Sequence, residues 1–337
     1  MKLQKFSKTY KNILKIKNDF YENNLKNLNY AKKVNKVFKN QEFRKKCKNC
    51  EKKITKSFLK SFSIEYSICK YCGHLNGIYE DTDNFVNWLY SSNSGENYNL
   101  FYKKNFKNRV ENIYIPKVNF LKKVIKKKIN LLDIGSGSGG FLKALEEKKV
   151  SAIGLEPNKQ QTIIGNKFLK KNKLIFCELQ DTYELSKYSH KINVLSLIGV
   201  LEHLNKPNLL IKNFLKSKIE YLYISVPIYS LSVFIENSFK MVFPRVLSNG
   251  HTHLYSKESL DYLAKKNNLE ILGEWWFGTD IADLYRSLMV TSSITDKNIY
   301  TKEINKKLFS VLDDLQHVLD KNKICSEVHM VFKKKSQ

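Results

Sequence analysis

The sequence predicts an α/β fold: a seven-stranded, mostly parallel sheet in the second half of the chain, with a small cysteine-bearing module ahead of it. Three observations predict it. From residue 129 onward, short apolar runs alternate with segments of helical periodicity. A glycine-rich turn, Gly135-Ser136-Gly137-Ser138-Gly139-Gly140, joins the first apolar run to the first helix. Two Cys-x-x-Cys pairs, Cys47/Cys50 and Cys69/Cys72, precede this region, eighteen residues apart.

In chain order, Asn130–Ile134 reads as a short strand and Gly139–Lys149 as a helix. Val150–Leu155 follows as a strand and Pro157–Lys170 as a helix, with proline at a favoured first-turn position. Leu174–Cys177, Ile192–Leu197 and Tyr221–Val226 continue the strands, and Asn208–Leu215 is a helix between the last two. Apolar strands separated by helices imply a parallel sheet covered on both faces. Leu269–Phe277 and Glu327–Lys333 are two closing strands, expected to pair antiparallel around a mainly helical insertion at about 280–323. Ahead of this domain (129–337), residues 1–46 form a basic segment with apolar residues at roughly helical spacing (Phe6, Tyr10, Ile13, Leu14, Ile16), read as a helical arm. Residues 47–80 hold the cysteines. Residues 81–128 are a helical connector whose aromatics, among them Phe85, Trp88, Tyr98, Phe101, Tyr102 and Phe106, are read as packing.

Bulk composition narrows the function classes. The chain has 337 residues and a net charge of +27, but only four of its 59 basic residues are arginine (Arg44, Arg109, Arg245, Arg286). Arginine is the residue suited to forked recognition of phosphates and guanine edges. The charge therefore reads mainly as a lysine-rich solvated surface, whose positive field would attract anionic small substrates. No run of about 18 apolar residues indicates a membrane span. No secretory pattern stands in the first thirty residues, so a cytoplasmic location is expected.

The turn Gly135–Gly140 ends a strand and opens a helix. Glycine is needed where the backbone turns sharply and approaches a ligand closely, and the helix start adds free N–H donors. Glu156, twenty-one residues beyond Gly135, closes the next strand. An acidic side chain there can accept hydrogen bonds from both hydroxyls of a ribose. Gly135, Gly137 and Gly140 also satisfy the dinucleotide fingerprint. Asp133, two residues before the first glycine, favours a cationic sulfonium ligand instead, because its carboxylate can brace the loop or meet the methionine portion. The third segment, Gly199-Val200-Leu201-Glu202-His203-Leu204 with Pro207, points the same way.

The segments LLDIGSGSGGFLKAL, AIGLEPN and IGVLEHLNKP together resemble the successive motifs of class I S-adenosylmethionine-dependent methyltransferases, over about residues 129–277 and as far as 333. The resemblance implies a Rossmann-like methyltransferase sheet and S-adenosylmethionine as methyl donor. It places Gly135 and Gly137 along the donor's methionine side, with Ser136 and Gly139 in the same cofactor-binding loop, Glu156 on its ribose, and residues around Gln180 and Asp181 near adenine.

Methyl transfer from a sulfonium is an in-line displacement, so the acceptor must be aligned and, if it is a hydroxyl, helped to lose its proton. His203 falls at the carboxyl end of the fourth strand, on the rim where such sheets bind ligands. Its ordinary pKa suits proton transfer. Three roles stay open for Glu202 and His203: base, metal ligand, or cap of the following loop. His251 and His253, after the fifth strand, can flank an acceptor, or their segment can merely lead into a helix capped by Ser256. Trp275, Trp276, Asp280, Asp283 and Arg286 read equally as a sugar platform or as core.

The cysteine spacing suits a closed tetrahedral zinc site, structural in role. The run Cys72-Gly73-His74-Leu75-Asn76-Gly77, with Thr82, Phe85, Leu89 and Tyr90, resembles the amino-terminal modules of methyltransferases in sugar and surface-polysaccharide pathways. That implies an anionic sugar nucleotide or glycan precursor as acceptor, methylated on oxygen. C-methylation is the variant found among relatives that carry an extra carboxyl-terminal domain, for which this chain is too short. The competing reading is a nucleic-acid enzyme, for instance one acting on an RNA 2′-hydroxyl, gripping phosphate with the module and the lysines.

Overall fold

The structure, a computed structural model, describes residues 2–10, 23–54, 59–91, 105–188, 191–247, 250–294 and 298–335. Ile13, Leu14, Ile16, Tyr98, Phe101 and Tyr102 lie outside them.

The chain opens with β1 (Leu3–Phe6) and α1 (Asn24–Lys39), followed by the hairpin strands β2 (Leu59–Ser61), β3 (Ile64–Ile68) and β4 (Leu75–Gly77). Then come α2 (Asp83–Ser91) and α3 (Ile115–Val124), the latter entered through a π-turn at Val110–Tyr114. The α/β alternation runs β5 (Asn130–Ile134), α4 (Gly140–Glu147), β6 (Ser151–Glu156), α5 (Lys159–Asn166), β7 (Lys173–Phe176), β8 (Val194–Ile198), α6 (Pro207–Lys216), β9 (Tyr221–Pro227) and α7 (Leu231–Ser238). The remainder is β10 (His253–Leu254), α8 (Lys257–Lys266), β11 (Leu269–Phe277), α9 (Asp280–Ile294), α10 (Asn298–Ile304), α11 (Ser310–Lys321) and β12 (Glu327–Lys334).

The main sheet has the order β1-β11-β12-β9-β8-β5-β6-β7. Only β12 runs against its neighbours. Apolar side chains from alternate positions feed two cores, one on each face. Leu132, Leu195, Leu222 and Trp276 belong to one, and Leu131, Val194, Tyr223 and Trp275 to the other. The mixed α/β class expected from the sequence is thus present, and β11 and β12 pair antiparallel around α9, α10 and α11.

Two local expectations are corrected. Leu3–Phe6, read as part of a helical arm, is an eighth strand lying parallel to β11. Without it β11 would be an open edge. Ser7 N–H donates to the Trp276 carbonyl, and Trp275 Nε1 donates to the Ser7 carbonyl at 2.9 Å. Four residues are too few for a helical period to be told from a strand. The second correction concerns Pro157, which precedes its helix instead of starting it. Asn158 is the N-cap, its side chain accepting from Gln161 N–H at 3.0 Å.

A second, antiparallel sheet has the order β10-β4-β3-β2. Its strand β10 comes from the second half of the chain, so the cysteine module is sewn into the larger domain. Their cores merge as well: Phe38, Ile64, Leu75 and Phe85 pack with Val233, Val246, Leu247 and Leu254.

Candidate active site

The strand ends of β5, β6 and β8 meet at one rim. At its centre is the glycine loop. Gly135, Gly137 and Gly139 all hold φ in the left-handed region, at 68°, 54° and 75°. Any larger residue at 135 would also put a Cβ 2.6 Å from Val200 Cγ2, so glycine is required there twice over. Asp133 is buried beneath the loop and braces it. Its carboxylate accepts from Ser136 Oγ at 2.8 Å and from Ser196 Oγ at 2.6 Å. Burial raises its pKa to about 6, against the two hydroxyl bonds. Of the two roles open to Asp133, the structure shows the bracing one.

Glu156 ends β6 and turns back over the loop. It accepts from Gly137 N–H at 2.7 Å and from Asn158 N–H at 2.9 Å. Burial pushes its carboxyl up to about 7 despite these donors. Asp181 stands exposed in a 3₁₀ turn, Leu179–Tyr183, that follows β7. The side chain of Gln180 lies outside the described ones.

One residue here escaped the sequence reading. Lys117, on α3, is only 7% exposed, and its ammonium has no ion pair among the described residues. Its charge acts on Asp133, Glu202 and Glu327, which places it among the strand ends. The neighbouring Tyr114 ring lies against Gly140. A buried cation with carboxyl groups nearby but no direct ion pair is suited to an anionic ligand group. In a lysine-rich sequence nothing separates it from the surface lysines except its position on the apolar stripe of a helix.

Farther along the rim, Glu202 and His203 form a 3₁₀ turn after β8. The structure brings His251 to them: His203 Nε2 and His251 Nε2 are 3.2 Å apart, and Glu202 Oε1 is 3.9 Å from His203 Nε2. His251 Nδ1 lies 2.7 Å from the Val246 carbonyl. That bond requires the proton on Nδ1 and leaves the lone pair on Nε2. Burial lowers both imidazole pKa values, His251 to about 4, and repulsion between the rings adds to the effect on His203. Burial raises the Glu202 carboxyl to about 8.

His253 does not join this cluster. His251 lies in the loop before β10, whereas His253 is in the strand, fully buried, with Nδ1 2.9 Å from His74 Nε2. It is a link between module and domain. Trp275, Trp276, Asp280, Asp283 and Arg286 are likewise no sugar platform. All are buried. Asp280 accepts from Ser230 Oγ, Ser232 N–H and Ser326 N–H, and Asp283 pairs with Arg245 at 2.8 Å, clasping α7 to α9.

The four module cysteines converge. Cys47 Sγ and Cys72 Sγ are 3.7 Å apart, Cys50 Sγ and Cys69 Sγ 3.4 Å, and all four sulfurs lie within 4.8 Å of one another. A tetrahedron with Zn–S of about 2.3 Å has edges of about 3.8 Å, so the set fits zinc. The residues between the first two cysteines reach the active-site rim. Buried Lys48 donates to the carbonyls of Leu204 (3.1 Å) and Asn205 (2.5 Å) and pairs with Asp81 at 2.5 Å. Asn49 Nδ2 donates to the Ser259 carbonyl at 2.8 Å. Beside Asn205 a cavity of about 170 Å³ is lined by Asp83, Asn87, Tyr183 and Lys206.

A family profile described as a methyltransferase domain matches residues 106–274, half of the chain. A search of curated proteins gives no match. Among solved structures, the plantazolicin methyltransferase BamL, in complex with a triazolic desmethylPZN analog and SAH, is 12% identical over 74% of this chain and 94% of its own, with a TM-score of 0.47. Coclaurine N-methyltransferase, bound to N-methylheliamine and SAH, is 14% identical over 66% of this chain and 73% of its own, with a TM-score of 0.42.

Proposed function

The chain belongs to the methyltransferase-domain family, and from that premise we propose that it moves the methyl group of S-adenosylmethionine to a hydroxyl of an anionic sugar nucleotide or glycan precursor. The donor would lie over the glycine loop. Gly135, Ser136, Gly137 and Gly139 line its methionine side, Glu156 takes the ribose hydroxyls, Lys117 faces the methionine carboxylate, and Gln180 and Asp181 stand on the adenine side. Zinc in the Cys47–Cys50–Cys69–Cys72 set is structural, since four thiolates leave no open position.

The observation that carries the acceptor side is the Glu202–His203–His251 cluster, on the same rim as the loop and backed by the cysteine module. A hydroxyl held there is aligned with the sulfonium methyl, and alignment alone lowers such a barrier by several kcal/mol, up to about 7–11 in ideal cases. The cavity beside Asn205, lined by Asn87, Tyr183 and the Asp83–Lys206 ion pair, suits a hydroxylated ligand. Against the nucleic-acid reading, Arg44, Arg109 and Arg286 are buried and Arg245 is held by Asp283, so none of the four arginines is presented for phosphate recognition. The module is built into the acceptor rim: its knuckle residue Lys48 holds the Leu204–Asn205 segment of that rim, and Asn49 holds α8.

The test is transfer of an isotopically labelled methyl group from S-adenosylmethionine to a panel of sugar nucleotides and glycan extracts, beside tRNA and DNA. Label in a sugar species, lost in His203→Ala while donor binding persists, is the expected result. Efficient labelling of tRNA or DNA with none in any sugar species would overturn the acceptor assignment.

A further inference from the structure

We propose that Glu202, His203 and His251 form a second metal site, distinct from the cysteine cluster, that takes one divalent cation of the zinc, manganese or iron type and presents it to the acceptor. The inference rests on reading this rim as the acceptor side. Three features carry it. First, Glu202 Oε1, His203 Nε2 and His251 Nε2 lie within 4.8 Å of one another although they come from loops 48 residues apart. Secondly, the two Nε2 atoms face each other at 3.2 Å. Two nitrogens bound at about 2.0–2.1 Å to one tetrahedral ion would stand about 3.3 Å apart. The Val246 carbonyl fixes the other nitrogen of His251, the arrangement that orients a ligating imidazole. Thirdly, Glu202 is 2% exposed, and its Oε2 has no hydrogen-bond partner among the described residues. A buried carboxylate costs free energy unless a cation or donors meet it.

One carboxylate oxygen and two imidazole nitrogens suit zinc, iron or manganese, and are too few and too nitrogen-rich for calcium or magnesium. Three protein ligands leave coordination positions open, as in catalytic sites and unlike the closed cysteine set. A hydroxyl of the acceptor entering an open position becomes more acidic. Its proton leaves to solvent, its oxygen bonds to the methyl carbon, and the carbon–sulfur bond breaks with its electron pair remaining on sulfur. The cationic sulfonium thereby becomes a neutral thioether.

Mn²⁺ is the probe, because it avoids thiolates and has a paramagnetic resonance signal that changes on binding. Titration of the zinc-loaded full-length protein should show one bound Mn²⁺ per chain, with a rise in melting temperature. Glu202→Gln keeps the shape and places no new charge in the core, so it should fold as well as the parent yet bind Mn²⁺ at least ~10-fold more weakly. His251→Ala should do the same from the opposite side of the site. Failure of Mn²⁺, Co²⁺ and Zn²⁺ alike to fill a second site, or equal affinity in both variants, overturns the proposal. So does full transfer by protein retaining only its cysteine-bound metal, which would make His203 a direct proton acceptor. Metal binding lost in both variants, without any sugar labelled by the parent, would uphold this site and sink the acceptor assignment instead.

Discussion

The two halves of the rim are built in opposite ways. The donor half is local: the bracing Asp133, the glycine loop, Glu156 and the Asn158 cap all fall within one strand–helix–strand–helix unit. The acceptor half is assembled from distant pieces. Glu202 and His203 follow β8, His251 precedes β10, Lys48 arrives from a cysteine knuckle more than 150 residues upstream, and β10 completes a sheet begun by β4. A local unit can be positioned by short-range hydrogen bonds alone. A dispersed one needs a scaffold, and the cysteine cluster is placed to supply it.

The largest expected effect follows from that difference. Cys69→Ser should release the zinc, loosen the knuckle carrying Lys48 and Asn49, and free the Leu204–Asn205 carbonyls. Structural zinc contributes on the order of 10 kcal/mol to folding its own module. Methyl transfer should fall at least ~100-fold, whereas S-adenosylhomocysteine affinity, read by calorimetry, should change by less than about 3-fold, since no donor contact leans on the knuckle. Equal loss of donor affinity would show that the halves are not separable.

The converse experiment is smaller. Glu156→Gln keeps the side chain's size but gives up a charged acceptor for the Gly137 and Asn158 N–H groups and for the ribose. Bonds to a charged group contribute about 1.5–3 kcal/mol, so donor affinity should weaken roughly 10- to 100-fold. The response of the Glu202–His203–His251 cluster to Mn²⁺ should be untouched. A change there would mean that Glu156 shapes the whole rim.

The same contrast explains what the sequence revealed. The donor loop was legible because each residue's role is dictated within about 25 positions: left-handed turns need glycine, and a strand end needs its acid. The parallel sheet was legible because both of its faces are buried, which makes every strand an apolar run. The acceptor half was only partly so. Glu202 and His203 are adjacent in sequence, but nothing in His251-Thr252-His253 states that His251 turns to the rim while His253 turns to His74; the strand begins only at His253, where β10 pairs with β4, and His251 stays in the loop, held by the Val246 carbonyl. Trp275 and Trp276 misled for a different reason: a strand with both faces covered buries consecutive aromatics on opposite sides. Lys117 and the edge strand β1 are tertiary facts, fixed by what they pack against.

The finest test of the contrast uses pH, because Glu156 pulls stability and donor affinity in opposite directions. Burial raises its folded pKa from 4.5 to about 7. Between those values the folded chain binds a proton that the unfolded chain has released. The stability this gives is complete below the unfolded pKa and is lost as pH rises through about 7. Asp133, raised from 3.8 to about 6, contributes in the same direction at lower pH. Donor binding has the reverse sign. Ribose hydroxyls need the carboxylate as acceptor, so affinity should fall as pH drops below about 7, with a limiting slope of about tenfold per pH unit. S-adenosylhomocysteine should therefore bind several-fold more weakly at about pH 6 than at about pH 8, while the Glu156 share of stability rises. In Glu156→Gln the dependence of donor affinity should flatten and that of stability should lose the Glu156 share, while the raised Asp133, Glu202 and Glu236 carboxyls keep theirs. A parent whose donor affinity is constant over that range, with no proton released in calorimetry run in buffers of different ionisation enthalpy, would mean that Glu156 does not change its ionisation when the donor binds, and the predicted coupling would fail.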